Sequence, residues 1–316
     1  MTTSDNFQHD SGSGTANGSP PSSPDQVLLL TYRFLRLGIL AAVTTLSVSL
    51  LAEIVRTQCV RNSISAYFYS PSRTIFTGSL MAVGLCLIAI QGDDDWDEVS
   101  LNVAGMLAPM IAVLPTSVST TCDPAFEGLT DTDPNYRAMI EAIEAQTRDG
   151  LHNNVIAYFG VLLAALIAVA VLVPRRLVRS DLGANKVRTA LLVYIALVGV
   201  FVYFASRTWN THSAWAHNLS AVLMFVFFGV VVCYNATRRQ APRWYRISCL
   251  AIAVLMAAVA LGVFPVLRWM LDVRWSVFFL EATQTALFAA FWFLQTIAFV
   301  DRNPVTAKKI AGPAGA

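Results

Sequence analysis

Apolar residues in this chain form eight long runs, separated by short polar segments, between residues 34 and 300. A transmembrane helix needs about 20 mostly apolar residues, because each residue advances the helix by about 1.5 Å. All eight runs approach that length, and they cover residues 34–54, 74–91, 101–119, 155–173, 189–206, 217–234, 247–267 and 277–300. The pattern therefore predicts an all-α fold, a polytopic transmembrane helical bundle with about eight spans.

The third predicted span is unusual because it contains Asn102, Pro109 and Pro115. A proline inside a helix frees a backbone carbonyl, and lipid offers no donor to that carbonyl. Neighbouring helices must supply the donor instead. We expect the third span to face protein.

The chain ends differ in composition from the apolar region. Residues 1–25 are rich in Ser, Gly, Pro, Asn and Asp, so they cannot bury enough apolar surface to offset their ordering entropy. We predict a disordered cytoplasmic tail at 1–25, a transmembrane helical domain at 26–303 and a short cytoplasmic tail at 304–316. The first tail lacks the features of a secretory signal, so we expect the first span to direct insertion.

The distribution of Lys and Arg predicts the orientation. With the N-terminus inside the cell, the inner segments hold 14 of the 22 basic residues, which follows the positive-inside rule. The predicted inner loop at 93–98 is acidic and has no base, but acids contribute little to the rule. We therefore expect a plasma-membrane protein with both termini in the cytoplasm.

Four outer loops follow from this orientation, at residues 56–73, 120–154, 207–216 and 268–276. The second is the longest, and its stretch 135–148 has apolar residues at helical spacing after Asp133 and Pro134, which predicts a surface helix. Cys59 and Cys122 are the only cysteines in these loops, and an oxidising compartment favours a disulfide between them over two free thiols.

Composition supports the membrane class and excludes one kind of partner. Hydrophobic residues make up 55% of the chain and charged residues 13%, and the mean hydropathy is +0.56. Soluble domains have about a quarter of their residues charged. The net charge of +2 is too small to indicate a nucleic-acid partner, and most basic residues lie between spans, where topology explains them. The predicted partner is membrane lipid.

Glu281 is the one carboxylate well inside a predicted span, roughly 10 Å from its outer end. An ionisable side chain at this depth costs about 2.5–3.5 kcal/mol on insertion scales and usually faces a partner inside the bundle. Arg73 and His217 begin two other spans at the same outer level. We expect at least one of them to contact Glu281, directly or through water, either as a structural lock or as part of a binding pocket.

Three histidines, His152, His212 and His217, are predicted at the outer face. The last two are five residues apart, which does not match the i, i+4 spacing of a helical metal motif. Together with a carboxylate such as Glu281 or Glu53, the three could still bind Zn²⁺ and leave one position for water, as in a hydrolase. Histidines in exposed loops commonly have no such role, so both interpretations stay open.

The second part of the first outer loop, residues 63–73, is rich in hydroxyl groups and aromatic rings and ends at Arg73. Such a loop is typical of an aromatic belt at the membrane surface, with the arginine reaching towards water. The alternative is a site for a lipid head group or an anion, because arginine binds phosphate and carboxylate through two parallel hydrogen bonds. The chain contains no phosphate-binding glycine loop, GxSxG or HExxH motif.

Four segments together resemble a known family: 63–80 (SISAYFYSPSRTIFTGSL), 104–116 (AGMLAPMIAVLPT), 217–229 (HNLSAVLMFVFFG) and 278–292 (FFLEATQTALFAAFW). They look like a family of uncharacterised bacterial multi-pass membrane proteins, distantly similar to the DRAM-like and FRAG-like eukaryotic membrane proteins. The resemblance implies a helical bundle with a polar cluster near one face, here Ser65, Arg73, His217 and Glu281. It implies no activity, and the acid that follows the family's arginine is replaced by Thr74.

Three functional classes follow from these observations. The favoured class is a non-enzymatic integral membrane protein that recognises a lipid or small anionic molecule at an extracytoplasmic polar pocket. One alternative is a zinc-dependent intramembrane lipid hydrolase, with weak similarity to the ceramidase and progestin-receptor type but without its motifs. The second alternative is a transporter that uses Glu281 for proton coupling.

Overall fold

The computed structural model describes residues 24–92, 95–172, 195, 199, 214–263 and 273–299. Seven α-helices lie in these ranges: α1 Pro24–Thr57, α2 Arg73–Ala89, α3 Asp95–Val113, α4 Pro134–Leu172, α5 Ala214–Thr237, α6 Arg243–Ala258 and α7 Val273–Ala298. Two 3₁₀ turns, Ser65–Tyr69 and Pro124–Phe126, lie in the connections, and a π-helical turn, Val259–Val263, continues α6.

Four of the described helices contain segments long and apolar enough to cross a membrane: Leu30–Thr57, Ala214–Thr237, Arg243–Leu261 and Trp275–Ala298. Large apolar side chains on their outer faces and on α2 are more than half exposed, among them Val48, Leu85, Val226, Val254 and Phe293. Exposed apolar surface of this extent is stable in lipid and unfavourable in water. The part of the chain that the structure describes is therefore all-helical, and its apolar helices are those of a multi-pass membrane protein.

Six of the helices pack in a closed ring. The order around the ring is α1, α2, α3, α5, α6 and α7, with α7 returning to α1. Helix α4 lies outside this ring and touches α3. Because α3 is covered on several sides, most of its side chains from Leu101 to Leu114 are buried. The prediction that the third span faces protein is confirmed.

Helices α2 and α3 approach each other through two glycines. A Cβ atom added to Gly84 would lie 2.6 Å from the Gly105 carbonyl oxygen and 2.6 Å from Pro109 Cδ. Pro109 has no N–H, so the Gly105 carbonyl four residues earlier lacks its helical donor and can lie against the bare backbone of Gly84. Small residues at such crossings let membrane helices pack closely by dispersion forces.

Both predicted ends of the third span are wrong. Helix α3 begins at Asp95, so the acidic residues to Glu98 form its first turn instead of a loop. Carboxylates in a first turn are favoured by the helix dipole. At the other end the helix stops at Val113 instead of Ser119, because the residue before Pro115 is pushed out of helical conformation.

The predicted surface helix at 135–148 and the span from 155 are one helix. Helix α4 runs through both as 39 residues. A single glycine in a helix costs about 1 kcal/mol relative to alanine, so Gly150 does not interrupt the backbone. The predicted span at 189–206 lies outside the described residues except for 195 and 199, as do residues 1–23, 207–213 and 301–316.

Candidate functional site

The connection between α1 and α2 folds into one end of the ring. In its 3₁₀ turn, Ala66, Tyr67 and Phe68 are between 1% and 3% exposed. These rings pack in the protein interior, so the interpretation of this loop as an aromatic belt is wrong. We call this end of the bundle, where α1 ends and α7 begins, the Glu281 end.

Hydrogen bonds tie this loop to the connection after α3. The buried Arg61 donates from Nη1 to the Ser119 carbonyl at 3.3 Å, and its backbone N–H donates to the Tyr67 hydroxyl at 3.3 Å. The Tyr69 hydroxyl donates to the Thr116 carbonyl at 2.8 Å. Burial raises the pKa of both tyrosines, so the Tyr67 hydroxyl stays neutral and the Tyr69 hydroxyl keeps the proton that it donates to Thr116.

A covalent link joins the same two connections. The Sγ atoms of Cys59 and Cys122 lie 2.06 Å apart, with their Cα atoms 5.7 Å apart. This is the pair predicted from the sequence. The loop that carries Ser65 is thus held to its neighbour by a disulfide as well as by hydrogen bonds.

Glu281 meets the start of the 3₁₀ turn. Its Oε2 accepts hydrogen bonds from the backbone N–H groups of Ile64 at 2.5 Å and Ser65 at 3.2 Å, and its Oε1 accepts one from the Ser65 hydroxyl at 3.2 Å. Glu281 lies eight residues after Val273, about 12 Å along α7. The carboxylate therefore fastens the loop to the last helix, across 216 residues of sequence.

Arg73 and His217 are placed differently from the prediction. The Arg73 side chain is exposed, and its guanidinium carbon lies 4.3 Å from the centre of the Phe68 ring. Neither residue makes a hydrogen bond or ion pair with Glu281, so the expected direct contact is wrong. Backbone N–H groups and Ser65 occupy that position instead, which removes the need for a cationic partner.

His217 has a clear structural contact. It is 1% exposed, and its Nδ1 lies 2.8 Å from the Leu114 carbonyl oxygen. A carbonyl only accepts, so Nδ1 carries the proton. Leu114 follows the last residue of α3, and its carbonyl is one that the helix end leaves without a partner. The other ring nitrogen, Nε2, is buried with no hydrogen-bond partner in the described part of the chain.

The residues proposed for a zinc site do not come together where the structure describes them. His152 lies on α4, Glu53 forms an ion pair with Arg56 at 2.7 Å, and His212 lies outside the described residues. Over the described ranges, no group of three His, Cys, Asp or Glu side chains is placed to hold a metal ion.

A cavity of about 80 Å³ extends from Glu281 towards the middle of the ring. We call it the Glu281 cavity. Its polar lining residues are Ser65, Ser79, Glu281 and Thr285, and its apolar ones are Val43, Leu46, Ile64, Phe76, Leu80, Val83, Ile111, Ala221, Met224, Phe225 and Phe288. The volume can hold several waters or a short piece of hydrocarbon, and it is below the roughly 300–1,000 Å³ of sites that enclose a whole small molecule.

The chemistry of this cavity follows from its one ionisable lining residue. Glu281 is a carboxylic group that accepts hydrogen bonds, and none of the described residues that line the cavity is basic. An anion would be repelled there, whereas a hydroxyl or amine on an apolar body would find both an acceptor and apolar walls. Comparison of the chain with protein-family models, with curated proteins and with solved structures gives no match.

Proposed function

We propose that this protein is a non-enzymatic membrane protein that binds a membrane lipid at the Glu281 cavity. The observation that carries the proposal is the position of Glu281, held by Ser65 in the wall of a mostly apolar cavity. A narrow hydrocarbon part of the lipid would enter the cavity, and a hydrogen-bond donor of its head group would meet the carboxylate. Arg73, exposed near the same loop, would contact a phosphate outside the cavity.

This proposal favours a lipid over the small anionic molecule that the sequence also suggested. A small anion gains nothing from the apolar walls and is opposed by Glu281. In this proposal Ser65 and Glu281 touch the ligand, and His217 acts only as support, because it is engaged with Leu114.

We further propose eight spans, with both termini in the cytoplasm of the cell and the Glu281 end outside. The support is the set of four apolar helices, the shorter apolar α2, the buried α3, and the apolar stretches 155–172 and 189–206. A reporter that works only in the cytoplasm should be active when it is fused at residue 180. Activity at residue 180 of a reporter that works only outside the cell would reject the orientation.

The lipid proposal is tested by filling the cavity without touching Glu281. Ala221 lines the cavity, and the next residue, Val222, is 60% exposed on the outside of the same helix. Ala221→Leu should remove a co-purifying lipid detected by native mass spectrometry, whereas Val222→Leu should retain it. A lipid retained equally in both variants, or absent from the unmodified protein, would reject the proposal.

The alternative classes are separated by two other measurements. A zinc-dependent lipid hydrolase requires stoichiometric zinc, which elemental analysis of the purified protein detects. A proton-coupled transporter requires uptake into proteoliposomes driven by a pH gradient and lost in Glu281→Gln. The lipid-binding proposal expects neither result.

A further inference from the structure

A second and larger cavity lies at the opposite end of the ring. Its volume is about 610 Å³, within the range of sites that enclose a whole ligand. It is formed by the start of α1 and α3 and by the ends of α2, α5 and α7. On α7, Gln295 lies 14 residues after Glu281, which corresponds to about 21 Å along the helix axis. We call it the arginine cavity.

The lining of this cavity is strongly basic. Its charged residues are Arg33, Arg36, Arg238, Arg239 and Asp97, an excess of three positive charges. The guanidinium carbons of Arg36 and Arg238 lie 5.5 Å and 5.9 Å from the centre of the same Phe299 ring. Two like charges held around one ring repel each other, and an anion between them would relieve that repulsion.

Within the residues that the structure describes, buried polar atoms in the same wall have no hydrogen-bond partner. They include the Nε1 donor of Trp292, which is fully buried, and the Oε1 acceptor of Gln295, which is 6% exposed. Arg36 Nε is a further buried donor without a hydrogen bond to a described residue. A buried donor or acceptor without a partner costs about 1–3 kcal/mol, so a ligand or water at this wall would regain that energy.

We propose that the arginine cavity binds a phosphate-bearing anion. Arginine pairs bidentately with phosphate oxygens, and the indole N–H of Trp292 adds a donor from the buried side. Gln295 would accept a hydrogen bond from a hydroxyl or amine next to the phosphate. The same chemistry is present in an anionic phospholipid head group and in a soluble phosphate compound. The inference is independent of the lipid proposed for the Glu281 cavity, because it uses other residues at the other end.

The positive-inside rule alone would also place arginines at this end of the bundle. A test of the proposal must therefore distinguish anion binding from a role in membrane orientation. Basic residues that only satisfy the positive-inside rule can lie anywhere on the surface, whereas binding residues must line the cavity. Arg243 provides the matched control. It is exposed at the start of α6, at the same end of the bundle, and does not line the cavity.

The experiment uses the full chain in two forms. Detergent-purified protein is titrated with pyrophosphate, and protein in nanodiscs of phosphatidylcholine is compared with protein in nanodiscs that also contain phosphatidylglycerol. Arg36→Gln and Arg238→Gln should each raise the Kd for pyrophosphate about tenfold or more, or abolish most of the phosphatidylglycerol-dependent rise in Tm. Arg243→Gln should change the Kd less than about twofold and should leave the rise in Tm in place. A response to pyrophosphate identifies a soluble source, and a response to phosphatidylglycerol alone identifies a lipid source.

Gln295→Glu keeps the size of the side chain and keeps the proposal testable if the arginine variants fail to fold. The new carboxylate should pair with the arginines, so the ligand-free protein should have an unchanged or higher Tm while anion binding is lost. No response to either probe in the unmodified protein would overturn the proposal. Equal losses in Arg36→Gln and Arg243→Gln, or unchanged binding in Gln295→Glu, would also overturn it.

Discussion

Buried polar side chains in this protein donate hydrogen bonds to backbone carbonyls of the helices around them. His217 donates to the Leu114 carbonyl just after α3, and Gln284 Nε2 on α7 donates at 2.9 Å to the Met256 carbonyl, which also accepts from the Val259 N–H. Without water or His217, the Leu114 carbonyl would remain unsatisfied at a cost of several kcal/mol. Residues of this kind resemble functional candidates in sequence, because they are polar and lie within apolar spans.

His217 should therefore tolerate asparagine and not alanine. Alanine leaves the buried Leu114 carbonyl without a donor, which should lower the free energy of unfolding by about 1–3 kcal/mol. The amide nitrogen of asparagine can take the position of Nδ1 and should restore most of that loss. Thermal unfolding in detergent measures both. Equal damage from the two substitutions would contradict a role that consists mainly of donating to the Leu114 carbonyl.

Tyr69 should make the protein sensitive to alkali. Its pKa is raised by burial, so above pH of about 10 the unfolded chain loses the phenolic proton before the folded chain does. Stability is therefore fully present below that pH and falls as the pH rises further. Tyr69→Phe should show a smaller fall between pH 9 and pH 11. At pH 7 it should be less stable by about 0.5–1.5 kcal/mol, since the bond to the Thr116 carbonyl is lost.

For individual residues, the sequence predicted where a side chain lies better than it predicted which groups that side chain contacts. Because a carboxylate in lipid is unfavourable, the sequence predicted that Glu281 lies inside the bundle, and it does. Cys59 and Cys122 were predicted to pair because both lie in outer loops, and the structure links them. The donors to Glu281 are backbone N–H groups of Ile64 and Ser65. Hydropathy does not predict that the loop with Ile64 and Ser65 folds into the bundle. The sequence therefore indicated the basic residues Arg73 and His217 as partners of Glu281.

Helix boundaries depend on local residues that a hydropathy window averages out. Pro115 ends α3 six residues before the predicted end, whereas the polar segment before residue 155 does not end a helix, because nothing in it forbids helical geometry. The order of the four described apolar helices that are long enough to span a membrane followed from the sequence. Their ends required the conformational rules of individual residues.

The α2–α3 contact should be sensitive to an added methyl group. Gly84→Ala places Cβ within 2.6 Å of the Gly105 carbonyl oxygen, and a backbone atom cannot rotate away. The helices must separate, which should cost about 1–3 kcal/mol. Gly78→Ala in the same helix is the control, because a Cβ there meets nothing within 4 Å. A lower Tm for Gly84→Ala alone is expected, and equal stability of the two variants would contradict this packing.

For the whole molecule, the disulfide should be a major contribution to stability. The two cysteines are 63 residues apart, and closing a loop of that length is worth roughly 4 kcal/mol in the chain-entropy model. Cys122→Ala should lower the Tm clearly, whereas Cys233→Ala, which replaces an exposed free cysteine, should not. Mass spectrometry of non-reduced peptides should find Cys59 linked to Cys122, and two free thiols would contradict the link.

The hydrogen bond between Ser65 and Glu281 also sets an order of events during synthesis. At about 5–20 residues per second, the ribosome needs roughly 10–40 s to make the 216 residues between them. The partner cysteine emerges much sooner, 63 residues after Cys59. Both cysteines are therefore present before the last helix exists, and their oxidation can precede docking. A nascent chain stalled before α7 would expose this loop in an undocked state, open to chaperones or proteases that do not reach it in the finished protein.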